Sequence, residues 1–167
     1  MISHLVSALS LVVFFILQTT IFTQARLISG TADLILLFLA AWSLQESVKN
    51  VWVWTVIAGL LISLVSAMPF YAPLLGYLGV VGISKGLQRR VWRTPLLAMM
   101  IVVLLGTIFQ MTLYVIVLRV TGAPISWVQS LDSVILPSMI LNLIFSLPMY
   151  AIANDLAGRI SPQEVEV

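Results

Sequence analysis

The stretch that most restricts the fold is Ile135–Leu156, which reads ILPSMILNLIFSLPMYAIANDL. It is apolar almost to its C-terminal end. At about 1.5 Å of rise per residue it is long enough to cross a hydrocarbon core of about 30 Å. Two prolines interrupt it. Pro137 falls near the expected start of the helix, where a missing N–H costs little. Pro148 falls inside and predicts a kink, whose freed carbonyl a neighbouring helix must satisfy. Ser138, Asn142, Ser146, Tyr150 and Asn154 recur at every fourth position. Each such step advances about 40° around a helix, so these side chains form one drifting polar stripe. Polar groups facing lipid are costly, and the stripe is therefore expected to face protein or water.

The rest of the chain must supply that protein. Of 167 residues, 61% are hydrophobic and 8% charged, where a soluble domain carries about 25% charged residues. A soluble fold could not hide that much apolar surface. The chain therefore reads as an all-α polytopic membrane protein, one transmembrane domain over 1–167 with a short polar tail over 158–167. A formal charge of +2 is too small to suggest nucleic-acid binding, and the absence of cysteine excludes disulfides and thiol chemistry. The single histidine, His4, has no Cys or second His to build a metal site or a triad with, and is expected to be solvated. The first apolar run has no basic flank before it and no small-x-small site after it, so it reads as a retained helix and not a cleaved signal.

Taken in order, Leu5–Phe22 is the first span. Ser7 and Gln18 lie eleven residues apart and share a face, which predicts helix-to-helix hydrogen bonding, with ligand contact as the alternative. After the polar link Thr23–Gly30 comes Leu34–Leu44, about 17 Å of helix and too short to span alone. Adding Thr31–Asp33 and Gln45–Val48 makes a marginal crossing, with Thr31 or Asp33 capping its N-terminus. A re-entrant half-helix is the alternative. Val51–Ala67 follows, with Trp52 and Trp54 as interfacial anchors and Gly59, Ser63 and Ser66 as a small-residue edge. Met68–Pro73 reads as a tight link. Leu74–Ser84 carries Gly76, Gly79 and Gly82, then Gly86, a spacing that predicts a close-packing groove and includes the GxxxG pair Gly82–Gly86.

Lys85, Arg89, Arg90 and Arg93 make a basic loop with Trp92 beside them. It reads as a cytoplasmic anchor against anionic lipid, with a phosphate or acidic-partner site as the alternative. In the long span Leu96–Leu118, Thr107, Gln110 and Tyr114 share a face next to Gly106. Thr121–Ser133 reads as the longest link. With six spans, Lys49, Lys85, Arg89, Arg90, Arg93 and Arg159 fall on one side and Arg26 and Arg119 on the other, which puts both termini in the cytoplasm. A re-entrant second run gives five spans and an N-terminus outside. Both arrangements keep the basic loop cytoplasmic and Thr121–Asp132 outside.

Four segments occur in order: LQTTIF at Leu17–Phe22, ADLILLFLA at Ala32–Ala40, IAGLLISL at Ile57–Leu64 and LPSMILNLIFSLPMY at Leu136–Tyr150. With the basic loop ahead of the fifth span, the chain resembles the rod shape-determining protein family MreD over about residues 10–155. One departure is Ser63, where that family often carries Asp after GLL. The resemblance implies a multi-pass protein of the bacterial cytoplasmic (inner) membrane with about six helices. Its fold would be similar to the substrate-binding subunits of energy-coupling-factor vitamin transporters, with no catalysis and no cofactor. It further implies a place in the cell-elongation machinery, binding MreC. Through MreC it would link the actin-like MreB filament to the peptidoglycan glycosyltransferase RodA and its penicillin-binding transpeptidase partner.

The residues themselves offer no intramembrane pair of carboxylates, no buried Lys or His and no phosphate loop, so an intramembrane enzyme lacks candidates. Small-residue edges and polar stripes suit helix association, hence a scaffold. A small-molecule or lipid-binding transport subunit is the second reading, with Gln18, Gln110, Asn142 and Tyr150 lining an internal pocket. The candidate packing or pocket residues are Gln18, Ser63, Gln110, Tyr114, Ser138, Asn142, Ser146 and Tyr150. Asn142, near the middle of its run, is expected to bond another helix, inside the protein, with a partner's helix as the alternative.

Overall fold

A computed structural model describes residues 2–22, 26–27, 29–48, 50–88 and 94–160. The described residues are mostly helical, with one short antiparallel ladder, Arg26–Leu27 against Gly30–Thr31. Helix α1 covers Ile2–Leu17 and is prolonged by a wider π turn, Gln18–Phe22. Then come α2 (Leu34–Leu44), α3 (Val51–Val65), α4 (Tyr71–Gln88), α5 (Pro95–Val120) and α6 (Trp127–Ile160). Helices α5 and α6 are long and apolar enough to cross a membrane, and α1, α2 and α3 are apolar but shorter.

The fold is wrapped around α2. Residues 34 to 42 contain no charged or hydrogen-bonding side chain except the Trp42 indole, so no face of this helix favours water. Accordingly every residue from Leu34 to Ser43 is buried. Phe14 of α1 lies 5.0 Å from Phe38, which stacks on Trp42 at 5.4 Å, and the Trp42 Nε1–H donates to Ser7 Oγ at 3.0 Å. Tyr77, Val80 and Val81 of α4, Met99, Val102 and Val103 of α5, and Met149, Ala153 and Ala157 of α6 complete the core.

Glycines set the helix spacing where they face a neighbour. A Cβ on Gly59 would lie 2.8 Å from the Leu74 Cα, and one on Gly79 2.0 Å from the Phe109 ring. Gly76 faces Gln110 and Gly106 faces Val80 in the same way, so α4 and α5 pack closely along Gly76 and Gly79. The GxxxG pair behaves differently from the expectation. A Cβ on Gly82 would reach only the tip of Trp52 at 3.9 Å and one on Gly86 would reach nothing, so this pair turns outward.

Two boundaries also differ from the expectation. Helix α4 begins at Tyr71, before Pro73, because a proline in the first turn has no intrahelical N–H bond to lose. Helix α6 begins at Trp127, so the link expected over Thr121–Ser133 ends at Ser126 and Pro137 lies inside a helix and not near its start. The chain accommodates Pro137 with a π turn over Leu131–Ile135, in which the Leu136 N–H reaches Leu131 O. Proline leaves the carbonyl four residues earlier, Ser133 O, without its helical donor. The Ser29 N–H takes that place at 3.1 Å. Pro148 also sits inside α6, which continues to Ile160. Helix α5 stops at Gly122, whose φ of +91° suits glycine. There the Gly122 N–H bonds Arg119 O and the Ala123 N–H bonds Leu118 O, closing the last turn in a Schellman arrangement.

Candidate functional site

Ahead of α2 the chain leaves a turn at Ser29 and runs through the short strand Gly30–Thr31 to an extended Asp33, and an extended backbone cannot satisfy itself. Gly30 and Thr31 pair with Arg26–Leu27, and further partners come from α1 and α6. Ser29 N–H donates to Ser133 O at 3.1 Å, Thr31 N–H to Ser138 Oγ at 3.1 Å, and Asp33 N–H to Asn142 Oδ1 at 2.8 Å. The alternate residues 29, 31 and 33 therefore climb along 133, 138 and 142. Two extended residues advance about 6.6 Å and four to five helical residues about 6–7.5 Å, so the two repeats stay in step. On the other flank, Gln18 accepts from Leu34 N–H at 2.7 Å and donates to Ala32 O at 3.1 Å. Gly30 allows this close approach, since a Cβ there would sit 2.6 Å from Ser138 N and 2.8 Å from Pro137 Cβ.

The polar stripe of α6 thus divides. Ser138 and Asn142 act as backbone partners for the extended segment, and Asn142 Nδ2 also donates to Thr107 Oγ1 of α5 at 2.9 Å. Ser146 donates to Leu143 O of its own helix. Tyr150 is half-buried against the apolar core, and Asn154 is exposed.

Asp33 ends the extended segment and caps α2, accepting from the Leu36 N–H at 2.9 Å. Its carboxylate also receives the Tyr77 hydroxyl of α4 at 3.0 Å and the Gln110 amide of α5 at 3.0 Å. Gln110 Nε2 lies 2.8 Å from the hydroxyl of Tyr114 as well. Asp33 is 8% exposed and Gln110 0%. One buried polar atom of this cluster, Gln110 Oε1, has no hydrogen-bond partner. Among the described residues every donor to the carboxylate is neutral, so the helix N-terminus and these hydrogen bonds offset its charge.

Of the residues singled out from sequence, Gln18, Gln110, Tyr114, Ser138 and Asn142 meet at the tip of α2. Ser63 lies elsewhere, donating to Gly59 O and to Phe70 O beside the α3–α4 turn. Lys85 donates to Gln88 Oε1, and Gln88 in turn bonds Leu44 O, closing the far end of α2 together with the Ser43 and Ser84 hydroxyls. Arg89, Arg90 and Arg93 lie outside the described residues. His4 is exposed, with Nε2 2.9 Å from Asn50 Nδ2 and its ring beside Trp54. No group of three His, Cys, Asp or Glu able to hold a metal occurs among the described residues.

Sequence reasoning reaches Asp33 only as a cap and misses Tyr77. The available signal for Asp33 is its isolation: it is the one acid ahead of Glu46, and it stands directly before a wholly apolar helix.

A groove of about 410 Å³ runs outside the bundle between α4 and α5, lined by Ile83, Leu105, Ile108, Phe109, Thr112 and Ile116 among others. The α5 residues recur at three and four, one helical face, and Thr112 brings a hydroxyl to an otherwise apolar wall. Comparison of the chain with protein-family models, curated proteins and solved structures finds no match.

Proposed function

We propose that the chain is a non-enzymatic membrane scaffold of the bacterial cell-elongation machinery, of the MreD type. In this reading it lies in the inner membrane with six crossings and the Lys85–Arg93 loop in the cytoplasm. The second crossing is composite. The extended Gly30–Asp33 contributes about 10 Å and α2 about 17 Å, together close to the thickness of a hydrocarbon core. Asp33 then lies near mid-depth, about 15 Å from the end of α5 at Val120 and about 17 Å from the end of α2.

The observation that carries the scaffold reading is the α4–α5 groove. The polar side chains at the tip of α2 are consumed inside the bundle, whereas the groove offers an apolar trough with helical periodicity on an outer face. Such a trough suits a single membrane helix, packed by van der Waals contact. MreC, with its one helix, is the partner this reading assigns, and through it MreB, RodA and the transpeptidase.

The test is co-purification with MreC after filling the groove by Thr112→Trp, with Leu9→Trp on the exposed face of α1 as control. Lost MreC with an unchanged melting curve is expected for the first and normal binding for the second. Full MreC recovery with the groove filled refutes the assignment.

The composite crossing favours a second reading, a small-molecule or lipid-binding transport subunit, since broken helices often mark substrate sites in transporters. Against it, Gln18, Gln110 and Asn142 are already engaged with the tip of α2. A small molecule retained in native mass spectra decides for transport.

A further inference from the structure

Asp33 is contacted by Tyr77 of α4, by Gln110 of α5 and, at its backbone N–H, by Asn142 of α6. Around them, Gln18 of α1 bonds Leu34, Thr107 and Tyr114 of α5 bond Asn142 and Gln110, and Ser138 of α6 bonds Thr31. None of them carries a charge at neutral pH, and no cation among the described residues pairs with the carboxylate. A carboxylate removed from water is ordinarily accompanied by a positive charge, because neutral hydrogen bonds return only part of the lost hydration. Beside it, Gln110 Oε1 is a buried acceptor with no donor. The cluster is therefore rich in acceptors and short of a hydrogen.

We propose that the Asp33–Gln110 pair, flanked by Tyr77 and Tyr114, is a binding site for a single proton in the interior of the bundle. The proton forms an O–H bond on a carboxylate oxygen of Asp33, turning it from acceptor to donor. Gln110 serves both states. In the ionised state its Nε2 donates to Asp33 Oδ2. A half-turn of its terminal amide, a broad and two-fold torsion, presents Oε1 to the acid hydroxyl instead. The same half-turn brings Oε1 to Tyr114, whose hydroxyl then donates to it. Heavy-atom distances of 2.8–3.0 Å between Asp33, Tyr77, Gln110 and Tyr114 close the cluster and favour a proton over a larger ion. Tyr114, half-buried, is the member that reaches toward the outside and provides the path for exchange. The site is independent of what the groove binds, so either assignment stands if the other fails.

The experiment is infrared difference spectroscopy of the full chain in phospholipid nanodiscs, titrated from alkaline to acid pH. A carboxylic-acid C=O band of a non-hydrated acid is expected to grow as pH falls. It is expected to be lost in Asp33→Asn and to be the same in sodium and potassium buffers. Tyr114→Phe should keep the band and slow its shift in heavy water. If Asp33→Asn does not fold, aspartate labelled with carbon-13 in an Asp132→Asn, Asp155→Asn chain, both sites being exposed, assigns the band to Asp33. No such band at any pH, a band indifferent to pH, a band that persists in folded Asp33→Asn, or displacement of the band by sodium each overturns the proposal.

Discussion

Replacing Asn142 with leucine tests the claim that the α6 stripe is a backbone partner for the extended segment. The substitution removes two hydrogen bonds at once, from Asp33 N–H at 2.8 Å and to Thr107 Oγ1 at 2.9 Å. The Thr107 bond is of the side-chain kind that averages about 0.6 kcal/mol inside membranes. The Asp33 N–H is worse placed, since it belongs to a non-helical backbone with no helical carbonyl to fall back on. Leaving it buried and unmade costs about 1–3 kcal/mol. Together the loss is about 2–4 kcal/mol. Equilibrium unfolding in mixed micelles, followed by circular dichroism, reads this directly. Ser146→Ala is the control, because its hydroxyl bonds only Leu143 O of the same helix, and its expected loss is under about 1 kcal/mol. An Asn142→Leu chain as stable as wild type, or one no weaker than Ser146→Ala, refutes the assignment.

Other expectations follow from the same contacts. Gly30→Ala should destabilise by about 1–3 kcal/mol, as its methyl meets the Ser138 backbone, whereas Gly86→Ala should stabilise by about 0.5–1 kcal/mol in the same assay. Tyr77→Phe keeps the ring and removes one donor to Asp33, so a loss of about 1.5–3 kcal/mol is expected in urea or detergent titration. Cysteines placed at Arg89 and Gly122 should label from opposite sides of the membrane, and one at Ser3 should label from the cytoplasmic side. Labelling of Ser3 from outside would refute the proposed count of six crossings.

Much of the inward-facing polarity is legible in the sequence. Ser138 and Asn142 announce by their spacing that they turn away from lipid, and Ser7 and Gln18 announce a shared face, which the structure turns toward Trp42 and the start of α2. Spacing cannot name the partner, because the atoms they meet belong to residues far away in the chain. Thr31 lies 107 positions from Ser138, and Asp33 lies 77 from Gln110. Tyr77 has no local mark at all, being an aromatic among glycines in an apolar helix. The start of α6 is obscured for a definite reason. Asp132 and Pro137 look like the beginning of a helix, and only a π turn and a donor from Ser29 let the helix run through them. Ser63 lies on the expected small-residue edge, and its hydroxyl is used by its own helix and turn.

The dependence of the Ser29–Asp33 backbone on α6 has a consequence for how the protein is made. Asp33 and Asn142 are 109 residues apart. At synthesis rates of about 5–20 residues per second, that separation is roughly 5–20 s of translation. During that interval α2 and its extended lead exist without the side chains that later hold them. A peptide segment whose N–H groups lack acceptors is poorly tolerated in hydrocarbon. If the proposed composite crossing holds, the second segment is expected to settle last, once the C-terminal helix has arrived. Chains stopped before Ser138 should therefore leave this segment open to protease while α3 to α5 are already protected.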